Sequence, residues 1–351
     1  MIGATGLDQS PFLGRWLPLV ATLFAVAAAV YGVRVLTARA ARGPSTDAGR
    51  RVTTSMARTP VDGNPIVTDL YTSDPAVLVH GGTVHLYTGH DEAAPGDDAY
   101  VMRDWHGFSS TDLRTWTPHG PLLHVDDFAW ARDGAKAGSV VERGGRFFWY
   151  VAVNHATIDG GAIGVAVADS PTGPFRDALG EALVTNDVPF DTGDDHTIDP
   201  SVIVHGGRAQ LFWGKGRCFS APLDDGMTAL AGPVTEIVLP SFSEGAHVHE
   251  RDGWFVLSYG FGYPQRVAYA RSRSLDGPWT FEGIVNEVPG NCATNRPAIV
   301  EFGGEWFFFY HNGVLPGGGS HRRSVCVDRL FHDGDGRMQR VRMTSEGLTT
   351  P

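Results

Sequence analysis

Charge is scarce in this chain. Only 19% of its 351 residues are Asp, Glu, Lys or Arg, and the balance is acidic, with a formal net charge of −11. That balance argues against nucleic acid or another polyanion as partner, while a neutral ligand meets no repulsion. Cysteine is scarcer still. Cys218, Cys292 and Cys326 cannot all pair within the chain, so no disulfide framework is implied. Beyond residue 64 no amphipathic run exceeds 12 residues, which leaves no long helix to build on. Zinc-type spacings are missing too: "HDE" at 90–92 and the histidines of "HVHE", His247 and His249, lack helical spacing, so no metal site is expected.

What is plentiful points to strands. Glycine numbers 45 and proline 22, in a chain that is 42% hydrophobic and 11% aromatic, as befits many short strands joined by tight turns. Near the start, "WLPLVATLFAVAAAVYGV" (16–33) is apolar and uncharged, with a length between a signal-peptide core and a membrane span. We expect residues 1–45 to be a signal peptide or membrane anchor, 46–63 a linker, and the rest a domain secreted or anchored to the outer face of the membrane. The flanking arginines, one before the run and Arg34, Arg39 and Arg42 after it, are awkward for that orientation.

From residue 64 onward one phrase returns five times: "AVLVHGGTVHLYTG" (76–89), "SVVERGGRFFWYVA" (139–152), "SVIVHGGRAQLFWG" (201–214), "HVHERDGWFVLSYG" (247–260) and "AIVEFGGEWFFFYH" (298–311). Each is a strand, a Gly-Gly or Asp-Gly turn, and a second strand rich in aromatic and β-branched residues. This is a strong hairpin signal, because both turn residues tolerate positive φ. The turn glycines Gly82, Gly145, Gly207, Gly253 and Gly304 are spaced by 63, 62, 46 and 51 residues, with further strand-like pieces between them. Four strands per unit and five units predict an all-β fold, a five-bladed β-propeller of four-stranded antiparallel blades over residues 64–351.

In a propeller the first strand of each blade lines the central channel, so the residues just before it gather at one mouth. Asp74 lies eight residues before Gly82, Asp199 eight before Gly207, and Glu244 nine before Gly253; the matching places in the other two blades hold Ala137 and Arg296. An aspartate before proline also caps turns, and a single such residue would mean little. Two at the same repeat position, with a glutamate in a third blade, predict a cluster of carboxyls. Like charges held close drive their pKa values apart, and one protonated with one ionised acid is what glycosidic cleavage requires. Around them, Arg296 either meets a substrate hydroxyl or ties blades together. Trp130 in "DFAWARDG" either stacks on a sugar or packs its blade, and His311 in "FFFYHNG" faces the channel or fills the core. The run Asp191, Asp194, Asp195 reads as a solvated acidic loop.

These residues carry a resemblance. "TSDPAVLV", "TIDPSVIV", "FSEGAHVHE", "RDWHGFSSTDLRTW" and "FFFYHNG" together resemble glycoside hydrolase family 43 over residues 64–342, propeller enzymes that remove arabinofuranose or xylose from plant polysaccharides. The resemblance implies Asp74 as general base, Glu244 as general acid and Asp199 as the residue that raises the acid's pKa, with inversion at the anomeric carbon. It implies an oligo- or polysaccharide substrate such as arabinoxylan, arabinan or xylo-oligosaccharides. Members carry a histidine near the position of Arg296, associated with an axial calcium. Arginine cannot ligate a cation, so no cofactor is expected. The alternative is a non-catalytic carbohydrate-binding propeller. Sucrose- and fructan-cleaving propellers have different neighbours around their acids; here Ser73, Ile198 and Gly245 stand in those places.

Overall fold

All five repeated phrases fold as two-residue hairpins. The turn pairs Gly81–Gly82, Gly144–Gly145, Gly206–Gly207, Asp252–Gly253 and Gly303–Gly304 each have positive φ at both residues, between 53° and 83°. That twist matches the right-handed twist of the flanking strands. The structure is a computed structural model that describes residues 63–187 and 196–348. The apolar run at 16–33 and the acidic run at 191–195 lie outside the described residues. The chain divides into two units, Met1–Val52 and Thr53–Pro351, and everything described belongs to the second.

The strands assemble as a five-bladed β-propeller. Blade I comprises β1 (Thr72–His80), β2 (Thr83–His90), β3 (Asp104–Ser110) and β4 (Thr117–His124), paired in that order. Blade II is built on β6 (Gly138–Arg143), β7 (Arg146–His155) and β8 (Gly161–Ala168), with β9 (Arg176–Asp177) outside. Two short strands, β5 (Ala131–Asp133) and β10 (Val184–Thr185), extend it. Blade III is β11 (Ser201–His205), β12 (Arg208–Trp213), β13 (Cys218–Leu223) and β14 (Thr235–Ile237). Blade IV is β15 (His247–Arg251), β16 (Trp254–Phe261), β17 (Arg266–Ser272) and β18 (Thr280–Asn286). Blade V has three regular strands, β19 (Ala298–Phe302), β20 (Glu305–Asn312) and β21 (Ser324–Leu330).

The outer edge of β21 is completed from the far end of the domain. Ile66 N–H donates to Val325 O at 2.9 Å, and the Asn64 side chain both accepts from Val327 N–H (2.9 Å) and donates to Val327 O (3.0 Å). A non-strand segment thus takes the place of the fourth strand and closes the ring, leaving no open edge on β21 there. The innermost strands β1, β6, β11, β15 and β19 neighbour one another in a closed cycle.

The aromatic second strands follow from this geometry. Alternate side chains of a strand point to opposite faces, and each blade has another blade on both sides. In β7, Phe147, Trp149 and Val151 enter the core shared with blade I, while Phe148 and Tyr150 enter the core shared with blade III. In β20, Phe307 and Phe309 pack toward blade I, while Phe308 and Tyr310 pack toward blade IV. With blades III and IV sharing a fifth cluster around Phe212, Leu257 and Tyr259, the core consists of five interblade wedges. Cys218, Cys292 and Cys326 are buried and unbridged.

Candidate active site

The two Asp-Pro phrases share a backbone conformation as well as a sequence. Asp74 has φ 50° and Asp199 φ 56°, the left-handed region that a side-chain-bearing residue adopts at a cost of roughly 1–2 kcal/mol. Aspartate is among the few types that tolerate it. In blade I the β1–β2 register breaks between Ser73 and Ala76, so the chain bulges at Asp74. A bulge re-aims a side chain, and here the Asp74 carboxylate meets Arg323. At the third position Gly245, with φ 73°, follows Glu244 and turns its N–H onto Asp199 Oδ2 at 2.8 Å.

Sequence counting placed Asp74, Asp199 and Glu244 together, and they converge. The Asp199 carboxyl feels the charges of both Glu244 and Asp74, from three separate blades. Burial first, and the Glu244 charge second, push its pKa up from 3.8 to about 7. Glu244 is half-buried and accepts a hydrogen bond from Gln265 Nε2 at 2.7 Å, while Gln265 Oε1 accepts from Asn295 N–H at 2.9 Å.

Asp74 is held differently. Arg323 Nη1 donates to its Oδ1 at 3.1 Å. Arg323 is only 4% exposed and is itself fixed by Asp91, through Nε to Oδ2 (2.8 Å) and Nη2 to Oδ1 (2.9 Å). Burial works to raise the pKa of Asp91, but the Arg323 charge and hydrogen bonds outweigh it and hold the carboxyl below its usual range. Ser73 donates to Asp91 Oδ1 at 3.1 Å and completes the brace.

His311 does face the site. It is fully buried, and its Nδ1 accepts from Asp74 N–H at 3.2 Å and lies 3.5 Å from Asp74 Oδ1. An acceptor at Nδ1 leaves the ring proton on Nε2, which donates to Thr294 O at 3.1 Å. Next to it burial acts to raise the Cys292 thiol, yet the hydrogen bond with His311 prevails and lowers it to about 7.

Arg296 is a strut beneath the carboxyls. Buried to 5% exposure, it donates from Nη1 to Pro75 O (3.2 Å) and from Nη2 to Pro200 O (3.0 Å). One guanidinium from blade V therefore pins the peptide just after each aspartate. Of the two roles weighed for it, tying blades is the one its hydrogen bonds display. Arg296 also caps an axial cavity of about 340 Å³ lined by the five inner strands. The Arg296 guanidinium brings a positive charge to that cavity, and its hydrogen bonds fall on the Pro75 and Pro200 carbonyls. The nearby His247 has both contacts of its Nε2 on the Ile299 backbone.

Trp130 is not brought to the carboxyls by any hydrogen bond or ring contact. Its indole donates to Asp177 at 3.0 Å, stacks on His155 at 5.6 Å and meets Phe128 edge-on, all within blade II and its lead-in. The exposed aromatic at the site is Tyr100, at 48% exposure, with the Arg323 guanidinium 4.8 Å from its ring centre and His321 packed on it at 4.5 Å. Burial, first among its causes, raises the Tyr100 phenol to about 12. Sequence reasoning missed Tyr100, Asp91, Arg323 and Gln265. They lie at the far ends of second strands and in the loops beyond, outside the repeated phrase.

A five-bladed propeller with three carboxyls and a braced guanidinium at one mouth defines a carbohydrate-active class of protein. A profile of glycosyl hydrolases family 43 matches residues 63–338, and the chain belongs to that family. It is 29% identical to xylosidase/arabinosidase 43A of Humicola insolens over 78% of this chain and 98% of that one. It is 28% identical to the arabinoxylan arabinofuranohydrolase of Paenibacillus polymyxa over 84% of this chain, though over only 53% of that longer protein. Among solved structures, it resembles a β-xylosidase/α-arabinofuranosidase from a compost microbial metagenome, captured with xylotriose. The TM-score is 0.71 at 29% identity, covering 82% of this chain and 98% of that one.

Proposed function

We propose that this chain is an inverting glycoside hydrolase that releases arabinofuranose or xylose from hemicellulose or its oligomers. The observation that carries the reading is the electrostatic contact of Asp199 with both Asp74 and Glu244, three carboxyls delivered by three blades to one mouth. Asp74 is the base. Its side-chain hydrogen bond falls on Oδ1, from Arg323, so among the described residues Oδ2 is left to take a proton from water. Glu244 is the acid that protonates the departing glycosidic oxygen, oriented by Gln265. Asp199 stands behind it, buried, where its charge and that of Glu244 act on each other. Tyr100 offers an apolar face for a sugar ring. The names of the relatives favour pentose-releasing activity, and a polymeric substrate agrees with export through the apolar segment at 16–33.

Hydrolysis of aryl α-L-arabinofuranosides and β-D-xylosides, beside arabinoxylan and xylo-oligosaccharides, tests this directly. Proton NMR of the first-formed sugar reads the inversion. Glu244→Gln should depress turnover of natural substrates about 10²–10⁴-fold while sparing substrates whose leaving group needs no proton. Equal losses on both would remove Glu244 from the acid's role. Binding of oligosaccharides without turnover by the wild-type chain would favour the carbohydrate-binding alternative.

A further inference from the structure

Blade I holds a second constellation that hydrolysis leaves unused. Strand β3 opens Asp104-Trp105-His106. With a period of two, Trp105 goes to the interblade core, 1% exposed, while Asp104 and His106 share the opposite face. The antiparallel register pairs Thr88 with His106 and Gly89 with Trp105, so His90, the last residue of β2, falls opposite Asp104. The outcome is convergence. His90 Nδ1 lies 2.9 Å from Asp104 Oδ1, and His106 Nε2 lies 3.4 Å from the same oxygen. One nitrogen or oxygen from each of the three side chains lies within 4.8 Å of the others.

We propose that His90, Asp104 and His106 form a binding site for a divalent transition metal of the zinc class, with two imidazole nitrogens and one carboxylate oxygen as ligands and the remaining position open to water. The donor set argues for the metal type. Two imidazoles and a single carboxylate suit zinc, cobalt or nickel, whereas calcium and magnesium seek a shell of oxygens. The spacing agrees. Ligands about 2.0–2.2 Å from a tetrahedral ion stand roughly 3.3–3.6 Å from one another, so small rotations of the three side chains suffice. Accessibility agrees too, since the side chains are 15–19% exposed, open to an ion yet partly dried. The surrounding charge favours a cation: the Glu92 and Asp91 charges reach His90, and Glu92 Oε2 is buried without a hydrogen-bond partner. The helical spacing of a zinc motif is absent because the site is built across two strands.

Chelator-treated protein without an affinity tag, titrated calorimetrically with zinc and spectroscopically with cobalt, tests this. We expect one equivalent bound per chain and a visible cobalt spectrum characteristic of a low-coordinate site. His90→Gln and His106→Gln should each weaken binding at least about tenfold, with circular dichroism verifying that both fold. His205→Gln, an exposed histidine at a hairpin turn of blade III, should bind as wild type. Undiminished binding in both His90→Gln and His106→Gln, or no stoichiometric uptake by the wild-type chain, would overturn the proposal.

Discussion

Asp74 and Asp199 begin as near copies and end as opposites. Both precede a proline, both take a left-handed φ, and both lie eight residues ahead of their turn glycine. Asp74 then accepts a hydrogen bond from Arg323 of blade V, braced by Asp91, and donates its own N–H to His311, with its side chain 12% exposed. Asp199 of blade III is sealed instead by burial and by the Gly245 N–H from the lead-in to blade IV, with the charge of Glu244 close by, and its carboxyl holds its proton to about pH 7. The repeat supplies position, and the unrepeated loops supply chemistry. One backbone device thereby holds two carboxyls in opposite electrostatic surroundings.

Substitutions at four positions probe that contrast. Asp74→Asn should have the largest effect, lowering kcat about 10³-fold or more on every substrate with the fold intact, as steady-state kinetics and circular dichroism would read. Arg323→Gln should follow, lowering kcat about a hundredfold through misplacement of Asp74. It should also cost about 3 kcal/mol in urea unfolding, because Asp91 is left buried without its cation. Partial recovery of kcat in Arg323→Lys marks a positioning role. Arg296→Met removes the strut common to both aspartates, leaving two carbonyls unpartnered. About 2 kcal/mol of stability should be lost, with both halves of the site loosened together.

The smallest effect is a slope. The Asp199 pKa is raised on folding, so the folded chain keeps a proton that the unfolded chain has released above its ordinary value of 3.8. Stability is fully present below that value and declines as pH rises toward about 7. Thermal melts of Asp199→Asn between pH 4 and 8 should lack this component, so the difference from wild type narrows or reverses at high pH. A parallel pair of curves would contradict the sealed environment drawn for blade III.

The propeller was legible in the sequence because it rests on local rules: two-residue turns needing positive φ, and second strands apolar on both faces. Counting back from the turns also located Asp74, Asp199 and Glu244. The fourth strand of blade V was not legible, since Asn64 completes β21 through a side chain mimicking backbone from 263 residues away. Arg323 and Asp91 escaped for a similar reason. Their pairing joins positions 232 residues apart with no shared motif. The His90, Asp104 and His106 cluster was not legible in residue spacing along the chain, because alternate residues of β3 and the strand register assemble it. For Trp130 the sequence leaves open a sugar platform or blade packing, and its hydrogen bond and ring contacts lie within its own blade and the lead-in to it.

The five hairpin turns all lie at the ends of the inner strands remote from the carboxyls, and the conformation at Gly82, Gly145, Gly207, Gly253 and Gly304 leaves the space around four of them open. This makes the underside a natural handle. A dye, a resin linkage or a fused module attached there would leave the opposite face unobstructed for a bulky polymer, and the near five-fold layout gives several equivalent places to choose from.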